Sequence, residues 1–354
     1  MSARIEAVLP FWLDRPDEEA VRIAQAASRA GLTGLWIGEM VSFDAFALAT
    51  AIGIRTPGLR LRLGPLPISV RTPAAIAFGA SSVAALTGCE IDVALGASSP
   101  VIVTSWHDRE WLHGAARMRE TIECLRPMLR GERSNYDGVY VRSHGFRLRH
   151  PLPDTGIGVG SFGAAMTRLA AEVADEVVLN LASPERVAVV RKQVDDHAAS
   201  AYRRPPRLTV WVPAAMRPGE ASLRQAANQL AVYLAPPGYG EMFCGLGFSD
   251  LVERARGGAR RSELAAAIPI ELVEQLGAIG GPERISARLQ AYLDAGADTV
   301  AVVPVTAEDP AGRGVLECAA ETCRLVSPTQ EPLHEAREHA MPSGRPPDRP
   351  ARGR

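Results

Sequence analysis

The chain has 354 residues, of which 47% are hydrophobic and 22% charged, with a formal net charge of −1. That balance gives no electrostatic case for a nucleic-acid partner or a membrane surface. The length is ordinary for one barrel-sized α/β domain, and no uncharged apolar run nears the roughly 18 residues a membrane-spanning helix needs.

Short β-branched runs alternate with alanine-rich amphipathic runs almost throughout. The first strand is expected over Ile5 to Phe11, with a helix over 17–30, and the second over Leu35 to Gly38, with a helix over 44–55. Leu61 to Ser69 is the third, and its helix opens with Thr72-Pro73, an N-cap followed by an N1 proline, and stops near Gly88. The fourth strand, 91–95, precedes a helix around 116–129; Ile157 to Val159 is fifth, with helix 164–174. Val177 to Leu181 is sixth, and Ser183-Pro184-Glu185 starts another capped helix. Leu208 to Val212 and Thr299 to Val305 complete the series, with a last helix after Asp309-Pro310. Eight strands each followed by a helix suit a (β/α)8 barrel or a doubly wound open sheet. The barrel is favoured by an internal echo, Ala30-Gly31-Leu32-Thr33-Gly34-Leu35-Trp36-Ile37 against Ala295-Gly296-Ala297-Asp298-Thr299-Val300-Ala301-Val302.

Insertions after strands 4 and 7 break the rhythm. Residues 131–156, with Tyr136-Asp137-Gly138, Tyr140 and Phe146, read as an extended hairpin; residues 216–298 should hold several helices, including 262–277 and 283–295. Both follow strand C-terminal ends and are placed to cover a barrel mouth. Residues 1–327 form the expected single domain, and the Pro- and Arg-rich stretch 328–354 reads as a disordered tail.

Residue types narrow the chemistry. Lys192 is the only lysine and sits on an expected helix, which excludes Schiff-base, pyridoxal-phosphate and P-loop mechanisms. Cys89, Cys124, Cys244, Cys318 and Cys323 are odd in number and never spaced C-x-x-C, so no metal site or disulfide framework is expected. Met1-Ser2-Ala3-Arg4 runs straight into a strand rather than a signal sequence, and the chain reads as cytoplasmic.

Ala94-Leu95-Gly96-Ala97-Ser98-Ser99-Pro100, running into Ser105-Trp106-His107-Asp108-Arg109-Glu110-Trp111, is a strand end that turns small, polar and aromatic at once, which points to a ligand. His107 is the candidate acid/base residue there, although a histidine between tryptophans also suits a plain surface position. Glu39, in Trp36-Ile37-Gly38-Glu39-Met40, stands at the C-terminal end of the second strand, and a carboxylate among apolar residues needs a partner such as arginine. Leu63-Gly64-Pro65-Leu66-Pro67 puts two prolines in a parallel strand, which demands a bulge, a kink or a strand end; a cis bond at Gly64–Pro65 or Leu66–Pro67 fits. Gly158-Val159-Gly160-Ser161-Phe162-Gly163 spells G-x-G-x-x-G, but Asn180 stands where a dinucleotide fold puts its ribose-binding acid. A phosphate held on the backbone N–H groups of residues 160–163, or a merely tight turn, fits better.

Taken together, these segments, with Phe43-Asp44-Ala45-Phe46-Ala47, Val70-Arg71-Thr72-Pro73, Arg117-Met118-Arg119-Glu120 and Ala174-Asp175, resemble the luciferase-like monooxygenase superfamily, in its branch of coenzyme F420-dependent oxidoreductases. The resemblance implies a (β/α)8 TIM barrel binding F420, or alternatively FMN, at its C-terminal mouth, as a homodimer. It implies that Gly64 and Pro65 back the deazaflavin ring, that Glu39 lies near it, that Ser98 and Ser99 form a wall, and that Gly160, Ser161, Phe162 and Gly163 hold the phosphate. Met40 departs from the pattern, since several F420 dehydrogenases carry histidine there, and attention shifts to His107. The implied reaction is hydride transfer between the deazaflavin C5 and a small organic substrate. An FMN-dependent monooxygenase and a non-catalytic F420- or flavin-binding protein are the alternatives.

Overall fold

The structure, a computed structural model, describes residues 4–11, 14–39 and 42–326. Met40 and the expected tail from residue 328 lie outside the described residues. Among the described residues eleven strands form: β1 (Arg4–Val8), β2 (Gly34–Ile37), β3 (Arg60–Pro67), β4 (Ile91–Gly96), β5 (Asn135–Asp137), β6 (Arg142–His144), β7 (Ile157–Gly160), β8 (Glu176–Asn180), β9 (Arg207–Met216), β10 (Ala278–Gly280) and β11 (Thr299–Pro304). Thirteen α-helices accompany them: α1 (Glu19–Ala30), α2 (Ala45–Arg55), α3 (Pro73–Thr87), α4 (Gly114–Leu129), α5 (Ala164–Val173), α6 (Pro184–Ser200), α7 (Glu220–Tyr233), α8 (Tyr239–Gly245), α9 (Ser249–Arg256), α10 (Arg261–Ala267), α11 (Ile270–Leu276), α12 (Pro282–Asp294) and α13 (Arg313–Val326).

Eight of the strands are parallel and close on themselves in the order β1-β2-β3-β4-β7-β8-β9-β11, with β11 returning to β1. Pairing of β8 with β9, from Glu176 opposite Arg207 to Asn180 opposite Trp211, excludes the open-sheet alternative. The expected strands and helices therefore build a (β/α)8 barrel. Outward-pointing Leu35, Ile37, Leu61, Leu63, Val93 and Leu95 pack on Ile23, Leu48, Ile52, Ile76 and Val83 of the first three helices. Each such side chain contributes about 1.5–3 kcal/mol through burial.

Local signals hold where the chemistry is local. The Thr72 hydroxyl accepts the Ala75 N–H and Gly88 ends α3 at φ +70°, while the Ser183 hydroxyl accepts the Arg186 N–H at the start of α6. Gly31 and Gly296, the echoed positions, take φ of +90° and +99°. The first insertion is the β5–β6 hairpin. The second carries α7 to α11, which share an apolar cluster including Leu230, Phe243 and Leu272. One expectation is corrected: the helix over 262–277 is two, α10 and α11, because Pro269 has no N–H to continue the first. The short β10, which pairs with β9 outside the closed ring, was not anticipated. No helix among the described residues is long and apolar enough to cross a membrane.

The inward positions near the N-terminal end of the barrel are charged. Arg62 lies 2.8 Å from Glu176, 2.7 Å from Glu6 and 3.3 Å from Asp92, and the Thr209 hydroxyl bonds Glu176. Burial pushes the Glu6 carboxyl up, with Arg62 opposing. For Arg62 burial works against the charge, and its carboxylate neighbours overcome it. A buried guanidinium needs such partners, and here it has three. The network is a solid polar floor.

Candidate active site

Above the floor, Val8, Trp36, Ala94, Val178, Trp211, Ala301 and Val303 form the packed interior. Carrying the strand alternation one step further up brings glycine to the mouth on four neighbouring strands: Gly38 after β2, Gly64 on β3, Gly96 on β4 and Gly160 on β7. On one side of the mouth the strands thus carry no side chains at this level, which leaves room for Phe11 over Gly38.

The two prolines of β3 produce the expected irregularity. Its pairing with β4 shifts register between Leu63 and Leu66, and the Gly64–Pro65 peptide is cis. Gly64 has φ +127°, and a Cβ there would lie 2.2 Å from the Ala94 carbonyl oxygen, so no other residue fits. The bulge turns the Pro65 ring onto the glycine lining: a Cβ on Gly96 would lie 2.9 Å from Pro65 Cβ, and one on Gly160 3.5 Å from Pro65 Cγ. The Pro65 ring thus lies over Gly96 and Gly160.

Glu39 has the arginine partner that its surroundings demanded. Arg71 Nε and Nη2 each donate to it at 2.7 Å, and Arg71 also bonds Asp44. Asp44 caps α2 by accepting the Phe46 and Ala47 N–H groups. Its partial burial works the other way, but Arg71 and these N–H groups hold the carboxyl below its usual range. The Glu39 bond, with Asp44 behind it, pushes Arg71 further up. The guanidinium also lies 4.8 Å from the centroid of the Phe46 ring.

The strand end after β4 becomes a largely exposed loop. Ser98 takes φ +61°, the Ser99 hydroxyl accepts the Ile102 N–H at 3.4 Å, and Val101–Trp106 winds as a π-helical turn. Trp111 Nε1 donates to the Ala97 and Ser98 carbonyls at 3.2 and 3.3 Å, folding its indole back over the strand end. Trp106 is 57% exposed. His107 is exposed beside it, and among the described residues no hydrogen bond or ion pair joins its side chain to Glu39 or any other group.

The 160–163 turn is half committed. The Ser161 N–H donates to the Val178 carbonyl, and its buried hydroxyl shares a 2.7 Å hydrogen bond with Thr167. The turn ends in α5, which has Gly163 at its N-cap, no capping side chain and no acid in its first turn. Three other barrel helices are capped by Asp44, Thr72 and Ser183. The α5 terminus therefore keeps donors and positive dipole for an anion. Phe162 packs on Tyr239 of the second insertion with ring centroids 3.5 Å apart, and Asn180 Nδ2 donates to the Tyr239 hydroxyl at 3.1 Å. Burial pushes the phenols of Tyr233 and Tyr239 up, so both stay protonated near neutrality. Neither tyrosine figured in the sequence reading; Tyr239 reaches Asn180 across 59 residues, with no local pattern to announce it.

Fold and mouth together define a (β/α)8-barrel enzyme. The chain belongs to the luciferase-like monooxygenase family, whose family model matches residues 13–299. A protein of Mycobacterium tuberculosis assigned as a coenzyme F420-dependent oxidoreductase is 26% identical over 329 residues, covering 85% of this chain and 94% of its own. The coenzyme F420-dependent tetrahydromethanopterin reductase of Methanopyrus kandleri has the same fold, with a TM-score of 0.77 at 16% identity over 91% of this chain and 98% of that one. So does the FMN-bound oxygenating constituent of 3,6-diketocamphane monooxygenase from Pseudomonas putida, with a TM-score of 0.66 at 16% identity over 92% of this chain and 98% of that one.

Proposed function

We propose that this chain is a coenzyme F420-dependent oxidoreductase moving hydride between the deazaflavin C5 and a small organic substrate, as a homodimer in the cytoplasm. The observation that carries the reading is the juxtaposition of the Pro65 ring, packed over Gly96 and Gly160, with the uncapped N-terminus of α5. A planar ring with a phosphate-bearing tail suits both halves. Bound there, the deazaflavin supplies a two-electron hydride carrier. Gly64 and Pro65 back the ring, Ser98 and Ser99 keep the adjoining wall low, and Gly160, Phe162 and Gly163 leave the phosphate turn open. Ser161, tied to Thr167, holds that turn in shape. Glu39, clamped by Arg71, fixes a charge pair beside the ring. His107 takes or gives the substrate proton on the exposed loop, while Trp106 and Trp111 keep water from the transfer.

The dimer rests on α2 and α3. Neither helix carries a charge from Ala45 to Ile54 or from Pro73 to Thr87, yet Ile54, Phe78 and Leu86 are more than three-fifths exposed. Such a face suits a subunit contact. Five free thiols agree with a reducing compartment.

Titration of the purified full chain with F420, followed through the cofactor's own fluorescence and compared with FMN, tests the cofactor. Retention of FMN in preference to F420 would sink the assignment. Tight F420 binding without F420H2 turnover across a broad substrate panel would leave a carrier protein instead.

A further inference from the structure

Trp211 lies on β9, four strands from β3 in either direction around the eight-strand ring, and so faces the 64–65 bulge across the barrel. Its side chain is 7% exposed and packs edge-on against Trp36 with ring centroids 5.6 Å apart. The Trp36 N–H has a partner, Glu6, at 2.9 Å. The Trp211 N–H has none among the described residues, although it is buried. A buried, unpaired indole donor costs about as much as a lost hydrogen bond, so an acceptor from outside the chain would restore it.

Asn180, opposite Trp211 on β8 and of the same inward parity, extends this edge. Its amide donates into the Tyr239 oxygen, so it does not accept the Tyr239 O–H proton in that bond. The indole N–H is thus left over on this side of the mouth, beside a phenol O–H that Asn180 does not take up. Two guanidiniums of the barrel are committed, Arg62 to Glu6, Asp92 and Glu176, and Arg71 to Glu39 and Asp44.

We propose that Trp211 and Tyr239 form a specificity edge that receives a neutral carbonyl oxygen of the bound molecules, either a carbonyl of the cofactor ring or that of an uncharged substrate. Neutral donors favour carbonyl or amide oxygens over carboxylates and phosphates. The assignment rests on the F420 reading above.

The test uses the full chain with Trp211→Phe, which keeps an aromatic ring and deletes the donor, and Tyr239→Phe. Three quantities are measured: the unliganded Tm, the F420 dissociation constant, and binding of the neutral ketone 2-cyclohexenone to the F420-loaded protein. The expected result is a loss of about tenfold in binding for each variant, with the unliganded Tm lowered by no more than about 2 °C. Weakened F420 binding assigns the acceptor to the cofactor ring. A loss confined to the ketone assigns it to the substrate. Unchanged binding of both overturns the proposal, and an unliganded Tm drop with unchanged binding marks Trp211 as structural. Wild-type protein that binds neither F420 nor FMN overturns the F420 reading and this assignment with it.

Discussion

Replacing Gly64 with alanine should injure stability and cofactor binding together. At φ +127° an L-residue carries backbone strain of about 1–3 kcal/mol. The new Cβ would also stand 2.2 Å from the Ala94 carbonyl oxygen, so β3 and β4 must part locally. Overpacking of this kind adds about 1–3 kcal/mol, and the total is about 4 kcal/mol. At roughly 2.1 cal/mol/K per residue, a chain of 354 residues unfolds with an entropy near 0.7 kcal/mol/K, so the Tm should fall by about 5 °C. Differential scanning calorimetry reads that shift, and F420 titration of the same variant reads displacement of the Pro65 surface, expected as weaker binding. Gly163→Ala is the stability control: its φ is −124°, its Cβ would meet nothing within 4 Å, and its cost should stay below about 1 kcal/mol. A Gly64→Ala protein that melts within about 1 °C of wild type and binds F420 normally would refute the packing account.

Arg71→Met should leave Glu39 and Asp44 without their shared cation and cost about 1–3 kcal/mol in urea unfolding, discounted for partial exposure, with weaker F420 binding. Arg71→Lys should recover only part of both, since an ammonium cannot reproduce the fork, and full recovery would argue for charge alone. Phe78→Arg on the uncharged face of α3 should convert a dimer to monomer in sedimentation velocity while preserving the Tm of the protomer; an unchanged sedimentation coefficient would remove that face from the interface. Glu19 is buried; burial works to raise its carboxyl, but the Arg15, Ala311 and Thr306 hydrogen bonds hold it below the ordinary value of 4.5. Its stabilisation is therefore full above pH 4.5 and lost as pH falls through the lower folded-state value. The Tm gap between wild type and Glu19→Gln should accordingly shrink as the pH is lowered below 4.5, and a gap that widens toward acid would contradict the direction.

Barrel strands were legible because a strand buried on both faces must be a nearly continuous apolar run, and Ile91 to Leu95 or Thr299 to Val305 can be little else. Thr72 and Ser183 were legible because a cap is satisfied within three residues. The irregularity at Gly64 to Pro67 could be read from proline's missing N–H alone. Glu39 could be given an arginine in principle, but Arg71 lies 32 residues away and only the closed barrel brings it there. Trp211 looked like one more apolar strand residue, because a pattern of burial does not record whether a buried N–H has an acceptor. Tyr239 arrives on an insertion whose path depends on packing among α7 to α11 rather than on any local period. The break at Pro269 was available to sequence reasoning, since the helix expected there had a proline at its centre.

The glycine lining has a consequence for how such an enzyme changes over time. At two positions the recess resists ordinary point substitution, since Gly64 admits no side chain and a Cβ at Gly96 would run into Pro65. On the proposed reading, ring shape is thereby constrained by the scaffold, and flavin and deazaflavin, sharing that shape, would meet the same wall. On that reading, discrimination between cofactors and innovation in substrate would fall to the periphery, to Tyr239 on the second insertion and the exposed loop around His107.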